Sequence, residues 1–323
     1  MSTMSQPLQT AARWLLATIF YVALAAALLL ALAVFPGAAS ASENRKVSQA
    51  PLKTLKPGTL QVCLYPGFQP FVGLDGNGAW TGWDVRFLQE FALQQGLQLA
   101  PVRINTFNDI WVQPTRGVCD IAASGISDLE ARRRQTDGKG WSDHYYSVCR
   151  AFGVRTADQG RVTGVEDFKG KTVIVTGGST ADLDLANRLV QAGIARCSNG
   201  RATSSCVDVQ TTNSEEAAAQ KVQAGQAFAY GGGLGSIQYL ACQQGSGLAP
   251  VWQHCNMLSG TRQTREPFSF VVRPASTGLL AALNTYIANP AKPYGGKPSC
   301  QTCPPAGSIP PCPSSGTKKG GNQ

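Results

Sequence analysis

Short apolar runs alternate with helix-period segments along this chain, and the alternation is run through twice. Leu60 to Leu64 reads as a buried strand. Residues 84 to 95 read as a helix with Val85, Leu88, Phe91 and Ala92 on one face and Gly96 as its stop. A second strand over 97 to 104 follows, then a short helix over 108 to 116 despite Pro114, then a third strand over 120 to 124 that delivers Gly125 to a loop. Ser127 and Glu130 stand at capping-box spacing, so a helix start there carries Arg132 within its first turn or two. The second half repeats the order: a strand over 171 to 175, a Gly-rich loop over 176 to 180, a helix over 181 to 191 and a strand over 207 to 211. Asn213 and Glu216 have capping-box spacing before an Ala-rich helix, and a strand over 227 to 230 ends in three glycines. The expected fold is therefore α/β in two lobes, each a mostly parallel sheet flanked by helices, with loops gathered at strand C-termini.

The loop after the third strand has the chemistry of a carboxylate corner. Gly125 lets a ligand approach the backbone, Ser124 and Ser127 bring hydroxyls, free N–H groups point at the ligand, and Arg132 supplies a bidentate fork beside a helix start. These groups recognise an anion and break no bond.

The run from Gly125 through Ser127 and Arg132 to Trp141-Ser142-Asp143-His144-Tyr145-Tyr146 resembles extracytoplasmic solute-binding proteins of the amino-acid type, family 3, which have the type II periplasmic-binding-protein fold and serve ABC importers. The likeness extends from about Gly58 to Ala288, through Tyr65-Pro66-Gly67-Phe68, Thr81-Gly82-Trp83-Asp84-Val85 and Val165-Glu166-Asp167-Phe168. It implies a first lobe over 58–152, a second over 153–264, a return to the first over 265–289 and a ligand cleft between lobes. It also implies that Phe68 and Phe107 sandwich the ligand, that Ser124, Gly125, Ser127 and Arg132 take its carboxylate, and that Ser179 and Thr180 join on closure. Tyr65, Thr176 and Gly233 complete the expected ligand-binding set. Gly233 is a departure: the family's Asp for an α-ammonium is missing there, and an ammonium buried without a carboxylate is costly. A keto, hydroxy or aromatic acid fits the remaining groups, unless Asp128, Asp143, Asp182 or Asp184 supplies a relocated partner.

Residues 1–41 carry one charge, Arg13, an apolar run from Trp14 to Val34, and Ala39-Ser40-Ala41, which reads as an export signal cut before Ser42, with an uncleaved membrane anchor as the alternative. A linker over 42–57 and a Pro/Gly/Cys-containing tail over 290–323 flank the lobes. Behind an export signal, ten cysteines read as disulfides, with Cys197–Cys206 and Cys242–Cys255 the preferred local pairs. The odd counts among Cys63, Cys119 and Cys149, and among Cys300, Cys303 and Cys312, leave the other pairings open. The net charge of +9 favours anionic ligands or an anionic membrane face, but apart from Arg132-Arg133-Arg134 it is scattered and reads as solvated surface charge rather than a nucleic-acid patch. His144 and His254, the only histidines, lack metal-ligand spacing, so no metal, cofactor or catalytic residue is expected. The expectation is a monomeric periplasmic receptor that closes on a small carboxylate and presents it to a membrane permease. The alternatives are a cyclohexadienyl dehydratase-like enzyme and a periplasmic accessory or sensory module.

Overall fold

The computed structural model describes residues 52–289 apart from 199 and 244. The segment expected to be an export signal and the tail cysteines lie outside the described residues. In the first sheet, β1 (Thr59–Leu64) lies parallel between β4 (Gln98–Arg103) and β5 (Ile121–Ala122), and β16 (Val271–Val272) adds antiparallel to β5. Helix α1 (Trp83–Gln94) buries Val85, Leu88, Phe91 and Ala92, the face its sequence period marks, against Leu60, Val62 and Leu64. Phe91 and Leu88 are fully buried and contribute about 1.5–3 kcal/mol each by the usual area relation. Helix α6 (Thr277–Ala288) brings Leu279 and Leu283 into the same core, so the end of the described chain returns to the first sheet.

The second sheet has six strands in the order β12-β7-β11-β8-β10-β9. Strands β8 (Thr172–Thr176), β10 (Cys206–Thr212) and β11 (Ala229–Gly233) run parallel, as does the short edge strand β9 (Ala195–Arg196). Two antiparallel strands that the period-based reading misses, β7 (Arg150–Arg155) and β12 (Leu248–His254), complete the other edge. Helices α3 (Thr180–Gln191), α4 (Glu215–Gln223) and α5 (Leu234–Ala241) flank this sheet, and α5 follows directly on the glycines of β11. The chain crosses between the sheets on β6 (Tyr146–Val148) and β15 (Glu266–Phe268), which pair antiparallel with Glu266 opposite Val148.

Several local expectations are corrected. The helix over 108–116 shrinks to a single 3-10 turn, Ile110–Val112, because Asp109 takes a left-handed conformation (φ 64) and Pro114 can donate no helix bond. Helix α2 (Glu130–Arg134) starts from Leu129 with no side-chain cap, since the Ser127 hydroxyl is spent on Glu266. Helix α4 is capped by Ser214, whose Oγ accepts from Ala217 N, rather than by Asn213. That shift of one residue turns Glu215 inward.

Cys197 pairs with Cys206 as the spacing suggests, and Cys63 pairs with Cys119. Cys255 bonds Cys149, not Cys242. The reason is register: β12 runs antiparallel to β7 with His254 opposite Arg150, which brings the next residue beside Cys149. Cys242 is itself disulfide-bonded.

Candidate functional site

The corner after β5 is fixed from behind by Asp84 in the first turn of α1. Its Oδ2 accepts the N–H groups of Ser124 at 2.8 Å and Gly125 at 2.9 Å, and the Tyr145 hydroxyl donates to Oδ1 at 3.0 Å. Burial pushes the Asp84 carboxyl up to about 6 against the pull of those bonds. The N–H groups expected to point at a ligand are therefore already committed. The Ser124 hydroxyl is committed too, since it accepts from Tyr65 N at 2.9 Å and donates to Tyr65 O at 3.2 Å, so Ser124 ties strand ends together and does not face the cleft. Gly125 does line the cleft, in the left-handed region (φ 58), with the Phe268 ring 3.1 Å from where a Cβ would stand.

Arg132 is buried at that corner, with its guanidinium 5.4 Å from the centre of the Phe107 ring that lines the cleft. Its guanidinium stacks 4.2 Å over the Trp111 ring and donates to two backbone carbonyls, Ser127 O at 3.1 Å and, across the cleft, Gly178 O at 3.3 Å. Among the described residues it forms no ion pair. Burial holds it down to about 10, with the field of Glu266 raising it and that of Arg150 lowering it.

The guanidinium on the cleft wall itself belongs to Arg150, which no sequence motif marks. It is held by Glu266, with Arg150 Nε donating to Oε2 at 2.7 Å and Nη2 donating to Oε1. The Thr180 hydroxyl donates to Glu266 Oε1 at 2.6 Å and the Ser127 hydroxyl donates to the same oxygen. The chain's own carboxylate thus bridges hydroxyls from both sides of the cleft.

Glu215 enters from the first turn of α4 and is 3 % exposed. Its Oε1 accepts from Gly233 N at 3.2 Å, while Oε2 is buried with no hydrogen-bond partner among the described residues. Burial pushes its carboxyl up to about 8, helped by Glu216 and opposed by the Ser236 hydroxyl, Arg150 and the Gly233 N–H. The four aspartates considered as relocated partners are elsewhere: Asp128 binds Arg133 and His144, Asp182 binds Arg196, Asp184 binds Arg188 and His254, and Asp143 is exposed.

Phe68 and Phe107 line the cleft but meet edge to face at 4.6 Å, so they form one aromatic wall rather than two jaws. Phe71 and Phe268 line it farther along. Ser179 lines it while capping α3 through Asp182 N, whereas Thr176 does not, its hydroxyl being buried at the end of β8 without a partner. Tyr65 packs 5.8 Å from Phe107 and faces a second, outer groove with Arg103 and Glu216. In this structure the inner cleft is drawn shut, leaving a cavity of about 20 Å³, room for about one water molecule.

Two sheets joined by a pair of crossing strands, with buried charge gathered where they meet, define a two-lobe type II periplasmic-binding-protein fold. The chain belongs to the bacterial extracellular solute-binding proteins, family 3, whose model matches residues 60–292. Holo arginine-binding protein from T. maritima is similar at TM-score 0.57 and 24 % identity, covering 74 % of this chain and 93 % of that one. An ancestral amino-acid-binding protein described as a precursor of cyclohexadienyl dehydratase is similar at TM-score 0.60 and 22 % identity, covering 74 % and 92 %. The GluR0 ligand-binding core in complex with L-glutamate is similar at TM-score 0.56 and 22 % identity, covering 72 % and 91 %. Comparison with the curated proteins finds no match.

Proposed function

We propose that this protein is an extracytoplasmic receptor that closes its two lobes on a small carboxylate and presents it, as a monomer, to the permease of an ABC importer. The observation that carries this reading is Arg132, a buried guanidinium that among the described residues hydrogen-bonds only to the carbonyls of Ser127 and Gly178. A buried cation without a carboxylate is costly, and a ligand carboxylate relieves that cost through a bidentate pair. The charge count agrees. Arg132 and Arg150 face the single carboxylate of Glu266, while burial holds Glu215 largely neutral at pH 7, so one negative charge is wanted. Glu266 keeps Arg150, and the ligand takes Arg132. The solved relatives described as bound to arginine or L-glutamate support a ligand of this class.

The test is thermal stability of the exported chain against amino acids and their deaminated counterparts. Ligand at about a hundred times its dissociation constant adds ~2.7 kcal/mol, a shift of several degrees. The reading expects a shift that Arg132→Ala abolishes, and a shift of equal size in that variant would sink it.

A second reading has one observation in its favour. Glu215 is a buried acid held up to about 8, and a carboxyl that stays protonated near neutral pH suits a general acid. On that reading the protein turns over a cyclohexadienyl acid. The receptor reading expects no turnover of prephenate or arogenate by purified protein.

A further inference from the structure

The cleft is shut by bonds that the chain makes with itself, and these run from loops of the first sheet to loops and helix starts of the second. In one tie, Glu266 Oε1 accepts from the Ser127 hydroxyl, beyond β5, and from the Thr180 hydroxyl at 2.6 Å, at the start of α3; the two hydroxyl oxygens stand 3.4 Å apart. In a second, Arg132 Nη2 donates to Gly178 O at 3.3 Å, in the loop after β8. A third lies beyond β1, where Gly67 O accepts from Glu215 N at 3.2 Å and Gln69 N donates to Glu216 Oε1 at 3.3 Å, both partners being at the start of α4.

The tie through Glu266 differs in kind from the others. Ser127 and Thr180 are the hydroxyls that the family resemblance assigns to a ligand carboxylate, and here a carboxylate of the chain holds both. All three residues are buried, so these charge-assisted bonds form away from water, where they are strongest. Arg150 fixes the carboxylate in position, and that ion pair does not span the cleft: Glu266 stands opposite Val148 on the crossing strands, and Arg150 follows two residues further along. The pair therefore stays whole when the cleft opens, whereas a single oxygen cannot keep hydroxyls that move apart.

We propose that Glu266 is a built-in carboxylate that latches the cleft shut in the absence of ligand, so that a ligand entering through an opened form must win Ser127 and Thr180 from it. The proposal goes beyond the receptor reading, because the latch closes an empty protein whatever the ligand is.

The third tie supplies the readout. Glu215 is the first residue of α4, and its N–H has no acceptor within the helix, so only Gly67 O across the cleft protects it. The Gln69 N–H likewise depends on Glu216. The experiment is amide hydrogen exchange, followed by NMR on the full chain without ligand, in the wild type and in the double variant Ser127→Ala/Thr180→Val, which frees the Glu266 oxygen of both hydroxyls and leaves Arg150 paired. In the wild type the Glu215 and Gln69 amides are expected to exchange at least about tenfold more slowly than unbonded loop amides. In the double variant that protection is expected to fall at least about tenfold, with the amides of Val62 in β1 and Val173 in β8 unchanged. If those core amides lose protection as well, Thr180→Val alone is read in its place. Glu215 and Gln69 exchanging freely in the wild type would show an open resting protein and overturn the proposal. Protection that persists in a folded variant would show that the other ties close the cleft and overturn the role of Glu266. No ligand enters the measurement, so either failure leaves the receptor reading standing.

Discussion

Two buried guanidinium groups lie close together in this molecule, and the contrast between them separates structure from readiness to bind. Arg150 at the head of β7 is fully engaged, with Glu266 on one side and Thr180 on another, and Cys149 beside it is bridged to Cys255. Arg132 in the short helix α2 has an aromatic platform and two carbonyls but no anion among the described residues. The floor at Arg150 is a finished ionic unit that fixes how the crossing strands sit. The corner at Arg132 is an unfinished one, and its completion by ligand is what the proposed function amounts to.

That contrast can be broken most forcefully at the floor. Replacing Cys149 and Cys255 by Ala opens a loop with a sequence separation of 106 and is expected to cost about 4–5 kcal/mol, against roughly 3 kcal/mol for the pair 9 residues apart, Cys197 and Cys206. Denaturant unfolding of the two double variants measures both, and equal losses would show that the floor is no special anchor. Glu266→Ala strands Arg150 in a buried site and is expected to cost ~3–5 kcal/mol, whereas Glu266→Gln, which retains hydrogen bonding, costs less.

The pH dependence of stability sharpens the comparison next. Glu215 is held up to about 8 and Asp84 up to about 6, so between their unfolded values and these the folded state binds more protons than the unfolded one. The stability they contribute is fully present below about pH 4 and is lost as pH rises toward 8, a decline on the order of a few kcal/mol. Asp128 and Asp184 are held low by Arg133 and His254 against burial, so they act in the opposite sense and cost stability only as pH falls below the ordinary carboxylate range. Thermal unfolding from pH 4 to 9 is expected to flatten over its upper half in Glu215→Gln.

The smallest effect on stability belongs to the corner. Arg132→Met keeps an apolar chain over Trp111 and removes an unpaired buried charge, so stability is expected to move by about 1 kcal/mol or less. Binding of a carboxylate ligand is expected to fall at least tenfold in the same protein, since a charged hydrogen bond contributes about 1.5–3 kcal/mol. A large stability loss with unchanged binding would reverse the roles assigned to the two arginines.

The sequence made some of this site legible and hid the rest for physical reasons. The corner from Gly125 to Arg132 was readable because its groups fall within one loop and one helix start. Yet the roles within it shifted: Asp84 captures the N–H groups, and the Ser127 hydroxyl turns to Glu266 instead of capping a helix. Arg150 and Glu266 lie 116 residues apart and meet only because β6 and β15 pair beside them, so no local spacing announces the bond. Glu215 was hidden by a plausible capping pattern at Asn213 and Glu216, which the real cap at Ser214 displaces by one residue. The alternating strands and helices of the parallel sheets were legible because burial on both faces gives compact apolar runs. The antiparallel strands β7 and β12 were not, since Arg150, Gly153 and Arg155 cut the apolar run of the first to pieces and Pro250 inside the second argues against a strand.

The most direct measurement is a crystal structure of the protein with the tightest-binding member of the amino-acid and deaminated-acid panel. The account predicts the ligand carboxylate within hydrogen-bond reach of the Arg132 guanidinium, with Arg150 still on Glu266. A ligand seated elsewhere, with Arg132 still donating only to Ser127 O and Gly178 O, would contradict it.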